Sequence, residues 1–114
     1  MFADKFAKFL SDFDAEKLEP LFYEHFKYGT ADVYIENDEI AASIRWNVSE
    51  SGYVANIIDL FIKEGAPSTK CMRWFGNRIR EKFPSIKYIK FYRRIKLPNS
   101  KVRMYKLKSL VKER

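Results

Sequence analysis

Apolar residues recur three and four positions apart at the start of the chain, at Phe2, Phe6, Phe9, Leu10 and Phe13. That spacing puts them on one face of a short amphipathic helix. It ends near Asp12 and Asp14, which supply a cap for a second helix predicted over residues 15–28. Leu18, Leu21, Phe22, His25 and Phe26 share a side of that helix, Pro20 kinks it or defines its first turn, and Gly29 stops it. From Ala31 the period changes to two. Residues 33–35 read as a strand, residues 37–39 as a turn and residues 39–46 as the antiparallel neighbour. After the turn NVSESG, residues 53–62 form the most apolar strand, interrupted by Asn56 and Asp59. A central strand covered on both faces has such a composition. KEGAP breaks it, and Ser68 or Thr69 caps a helix whose buried stripe is Cys71, Met72, Phe75, Ile79 and Phe83 and whose stop is Pro84. Residues 86–97 then form a long strand that returns, through a turn at residues 98–101, as a hairpin arm over residues 102–107. The tail beyond reads as frayed or weakly helical. The order α-α-β-β-β-α-β-β predicts an α+β (mixed α/β) domain spanning 1–114, with a mostly antiparallel central sheet and helices packed on it.

A chain of 114 residues holds one such domain and excludes a two-domain enzyme. Aromatic residues at 17% supply a core without staples. The single cysteine, Cys71, permits no internal disulfide, so a reducing, cytoplasmic setting is expected. No apolar run approaches the roughly 20 residues of a membrane span, and the first residues lack a secretory pattern. Charge is more informative when divided. Residues 1–57 carry 5 Lys/Arg against 11 Asp/Glu, whereas residues 58–114 carry 17 against 4. Either the basic half makes a face for nucleic acid or an acidic protein, or the two halves attract each other within the fold.

Two regions are candidates for chemistry. The first is the crossover from Ile62 to Lys70, where a strand ends, Gly65 turns, and a helix begins. Helix-start amides at Ser68 and Thr69, with Lys63 and Lys70 beside them, suit a phosphate or pyrophosphate. A purely structural turn has the same pattern. Asp59, inside an apolar strand, is bonded to backbone or to a partner such as Arg73 or Arg78, serves as a catalytic carboxylate, or lies on an outward, solvated face. His25 is the lone histidine, either a satisfied core or groove residue or a general base. Cys71 falls on a buried stripe and is a poor nucleophile candidate, while Tyr88 and Tyr92 are candidate proton donors. The second region interleaves aromatic and basic residues. Lys87, Lys90, Arg93, Arg94, Lys101 and Arg103 can neutralise phosphates while neighbouring rings stack bases.

The order of elements, with a hydrophobic strand leading through a glycine loop into a helix, resembles the Gcn5-related N-acetyltransferase (GNAT) superfamily. In place of that superfamily's Gln/Arg-x-x-Gly-x-Gly/Ala loop the chain has KEGAPS. A narrower resemblance is to the toxin-activating lysine acyltransferases, carried by IIDLFIKEG, MRWFGNRIREKFP and KVRMYKL. It implies an acyltransferase with Asp59 at the functional aspartate, taking its acyl group from acyl-CoA or acyl carrier protein and passing it to an amine. That family's catalytic histidine precedes the first long helix; here only MFADKF stands there, so His25 has no counterpart by position. The resemblance implies no permanently bound cofactor, and the donor would lie along Ile62, Lys63, Gly65, Ser68, Thr69 and Lys70. Asp59, Tyr92 and His25 make up the candidate catalytic set. The abundance of large aromatics, on both faces of the final hairpin, also predicts a symmetric homodimer.

Overall fold

The computed structural model describes residues 1–93 and 101–106, with side chains through residue 91. Its elements are α1 (Phe2–Ser11), a 3-10 turn (Glu16–Leu18), α2 (Glu19–Lys27), β1 (Ala31–Glu36), β2 (Glu39–Val48), β3 (Val54–Ile62), α3 (Ser68–Lys82), β4 (Tyr88–Arg93) and β5 (Lys101–Lys106). The fold is α+β, with a five-stranded mixed sheet in the order β1-β2-β3-β4-β5. Among the described residues only the β3–β4 pair is parallel. The α3 crossover allows this, because parallel neighbours cannot be joined by a hairpin.

Alternation along the strands sorts side chains into two cores. On one face α3 lays Cys71, Phe75 and Ile79 onto Ala42, Ile44, Trp46, Ala55, Ile57 and Ile89. On the other, Phe6, Phe9 and Leu10 of α1 and Phe22 of α2 cover Ala31, Ile40, Val33 and Phe61. The sheet is thus sandwiched between α1/α2 and α3, with β3 between β2 and β4. Phe6 lies at the centre of the aromatic layer, 5.2 Å from Phe22 and 5.7 Å from Phe26 by ring centroids.

Several local expectations shift. The second helix is divided: residues 16–18 form a 3-10 turn, and Pro20 sits at the N-terminus of α2, where its missing amide and fixed φ cost nothing. Leu21 is 46% exposed and so leaves the apolar side it was expected to share with Phe22. Neither Ser68 nor Thr69 caps α3. Pro67 occupies the cap position, no side chain bonds the first turn, and Ser68 is already helical. Gly29, at φ +73°, terminates α2 in the left-handed region that glycine enters at least cost. The long strand begins at Tyr88 rather than residue 86. Residues 94–100 and 107–114, including Arg94 and the expected turn and tail, lie outside the described residues, as do the side chains of Tyr92, Arg93, Lys101 and Arg103.

Candidate functional site

Strict alternation along β3 would place Asp59 on the same face as Ala55 and Ile57, inside the α3 core. It does not lie there. The β2–β3 register runs Trp46↔Ile57 and then Arg45↔Asp59, leaving Ile58 without a partner in β2. This β-bulge inserts one residue and turns every later side chain over. Leu60 and Ile62 now face α3, while Asp59 and Phe61 face α1 and α2.

There Asp59 meets Arg45, whose Nε donates to Asp59 Oδ2 at 2.7 Å and whose Nη2 donates to the same oxygen. Both side chains are only 9% exposed. The guanidinium also lies over the Phe22 ring, 5.7 Å from its centroid. The expected partners Arg73 and Arg78 are thereby corrected. Arg78 instead bonds Asp32 at 2.9 Å from the opposite face of the sheet. Nothing singled out Arg45 in the sequence, although an arginine within one strand and an aspartate within its hairpin neighbour is the pattern that would have exposed it.

His25, half-buried on α2, belongs to the same neighbourhood. Its Nδ1 is 2.9 Å from Thr30 Oγ1, and that hydroxyl donates to the His25 carbonyl. Burial pushes the imidazole pKa below its ordinary value, and the Arg45 charge pushes the same way. Backbone hydrogen bonding at Trp46 and Thr30 and the Asp59 charge oppose the shift and are outweighed. Of the candidate catalytic set, the structure therefore groups His25 and Asp59, with Arg45 between them in charge. Cys71 is fully buried, and burial raises its thiol pKa, which removes it as a nucleophile.

Among the described residues the β3–β4 ladder holds four pairs. Parallel pairing joins residues 54–57 of β3 to residues 88–91 of β4 and stops at Ile57↔Phe91. Beyond that point β3 stays bonded to β2 through Ile62, and β4 stays bonded to β5 through Arg93↔Lys101. At the exit of β3, Gly65 adopts φ +85° and the α3 amides lack a side-chain cap. Ser68 and Thr69 are exposed, whereas Ile62 packs against the α3 core.

The two lysines expected to add charge there are engaged by acids of the β1–β2 hairpin. Lys63 bonds Glu39 at 3.0 Å, and Lys70 approaches Glu36 at 3.6 Å. In the aromatic and basic region, Lys87 is exposed and places its ammonium 5.2 Å from the centre of the half-exposed Tyr53 ring. Among the described residues no three His, Cys, Asp or Glu side chains gather to hold a metal ion. Nor is any helix among them long and apolar enough to cross a membrane. No protein-family model matches the chain, and no curated protein matches it in sequence.

Proposed function

We propose that the protein transfers an acyl group from a thioester, carried by acyl-CoA or acyl carrier protein, to an amine. The observation that carries this reading is the buried Arg45–Asp59 pair with His25 on the same side of the sheet, its imidazole pKa lowered by burial and by the Arg45 charge. Uncapped amides at the start of α3 suit the phosphate end of such a donor.

In the reaction the amine nitrogen attacks the thioester carbonyl, and the His25 imidazole takes the proton it sheds. A lowered pKa keeps the imidazole neutral near pH 7, the form a general base needs. Asp59 acts through Arg45, fixing the charge that faces the imidazole. Strand amides stabilise the oxyanion until the carbon–sulfur bond breaks. In this reading Tyr92 is the donor to the leaving thiolate.

The test offers acetyl-CoA and acylated acyl carrier protein separately, with a lysine peptide as acceptor, and follows thiol release and peptide mass together. Amine-dependent release from one donor is expected, falling by about a hundredfold or more in His25→Gln. Absence of transfer from both donors rejects the reading. A second reading, a basic surface for nucleic acid or an acidic protein, draws on the Lys87–Tyr53 contact. Binding to single-stranded nucleic acid across a salt series distinguishes it, since phosphate contacts weaken steeply with salt.

A further inference from the structure

Two adjoining cavities lie between α1, the β1–β2 hairpin and the end of β3. One, of about 230 Å³, is lined by Lys5, Lys8, Asp12, Glu39 and Lys63 around Phe9 and Ile40. The other, of about 210 Å³, is lined by Met1, Phe2, Ile35 and Asp38, and shares Lys5 and Ile40 with the first. We propose that the joined cavities bind a single amphiphile with an anionic head and an unbranched apolar tail, of the class of a medium-chain carboxylate.

The polar end has three ammonium groups against two carboxylates. Glu39 is held below the usual carboxylate range by the Lys63 hydrogen bond and charge, with Lys8 and Lys5 adding to the pull, so the three cations act on one place. Lys5 stands at the seam, anchored through its ammonium to the Asp38 carbonyl at 2.7 Å. The Lys63–Glu39 pair is exposed on both sides and therefore costs little to rearrange around an incoming anion. Lys8 has no hydrogen-bond partner for its ammonium among the described residues. At the apolar end Met1, Phe2 and Ile35 are 91%, 41% and 54% exposed. Single exposed apolar side chains are ordinary, but three around one cleft form a patch that an alkyl chain would cover. A free anion leaves that patch wet, and a neutral amphiphile leaves the lysines without a partner; one molecule with both ends meets each. The inference stands apart from acyl transfer, because neither Lys8 nor Ile35 takes part in that reaction.

The experiment titrates the isotopically labelled full chain with sodium decanoate below its micelle concentration and follows backbone amide resonances. Saturable shifts at Lys5, Lys8, Ile35 and Ile40 are expected, with acetate and decyl maltoside each binding more weakly by about tenfold. Lys8→Gln and Ile35→Ser, both at exposed positions, should each weaken decanoate binding by about five- to tenfold while leaving the remaining spectrum in place. No saturable shift overturns the proposal. So do equal affinity for decyl maltoside, unchanged affinity in Lys8→Gln, or shifts produced only by phosphatidylglycerol vesicles, which would mark a membrane-facing surface instead. Acyl transfer measured on the same two variants should be unaltered, which separates failure here from failure of the enzyme reading.

Discussion

Asp59 is tolerated inside an apolar strand because Arg45 stands opposite it, and neither partner is well solvated. Removing one member leaves a buried charge unpaired, which costs about 3–5 kcal/mol, whereas replacing both with apolar groups of similar volume is often close to neutral. Asp59→Ala should therefore lose about 3 kcal/mol in urea denaturation, and the Arg45→Met/Asp59→Leu double variant should recover most of it. Simple additivity of the two single losses would show that the pair is not coupled. His25 provides a second residue-scale readout. Its folded-state pKa lies below the unfolded value of about 6.5, so the unfolded chain binds more protons in the window beneath that value. Stability tied to the neutral ring is whole above about pH 6.5 and is lost as pH falls toward the lower folded pKa. The urea midpoint should drop between about pH 7.5 and 5.5, and drop less in His25→Gln. Parallel curves for the two proteins would remove His25 as the titrating group.

At the scale of elements, α1 is held less by helix propensity than by its buried stripe, since an isolated helix of 10 residues is marginal in water. Phe6 is 0% exposed and touches the rings of Phe2, Phe22, Tyr23 and Phe26. Phe6→Ala should cost about 3–5 kcal/mol through lost burial and the cavity left behind. Circular dichroism and denaturant titration will measure it; a loss under about 1 kcal/mol would mean that α1 does not cover the sheet as described. The bulge in β3 is an element-scale device with a residue-scale consequence. It lets one strand serve the α3 core with Ala55 and Ile57 and still present Asp59 to the opposite layer.

Across the whole molecule the charge asymmetry of the chain is met in part by ion pairs between its two halves. Asp32, Glu36 and Glu39 of the acidic half pair with Arg78 and Lys82, with Lys70, and with Lys63 of the basic half. The Lys63–Glu39 and Lys70–Glu36 contacts are exposed and contribute little. Asp32 differs, with a side chain only 14% exposed that receives both Arg78 at 2.9 Å and Lys82 at 3.0 Å. It ties the edge strand β1 to α3. Asp32→Asn should lower stability by about 1–2 kcal/mol, with a smaller difference at high salt. A melting curve unchanged by the substitution would reduce this junction to a surface contact.

The helices, the strands and the α+β order were legible in the sequence because burial imposes periods of 3.6 and 2 that local spacing reveals. Cys71, Phe75 and Ile79 appear at helical spacing and are buried on α3, and the apolar run of β3 does lie between two strands. Gly29 likewise marked the end of α2, since its backbone conformation is a local property. What lies between elements was not legible. One unpaired residue, Ile58, decides the face on which Asp59 appears, and a bulge leaves no mark on periodicity. The choice of Arg45 over Arg73 or Arg78, and the charge coupling of His25 to that pair, follow from register and layer packing. So does the engagement of Lys63 and Lys70 by glutamates far away in the chain. Electrostatic partners are selected by distance through space, and that distance exists only once the sheet has closed its ladders and the helices have covered its two faces.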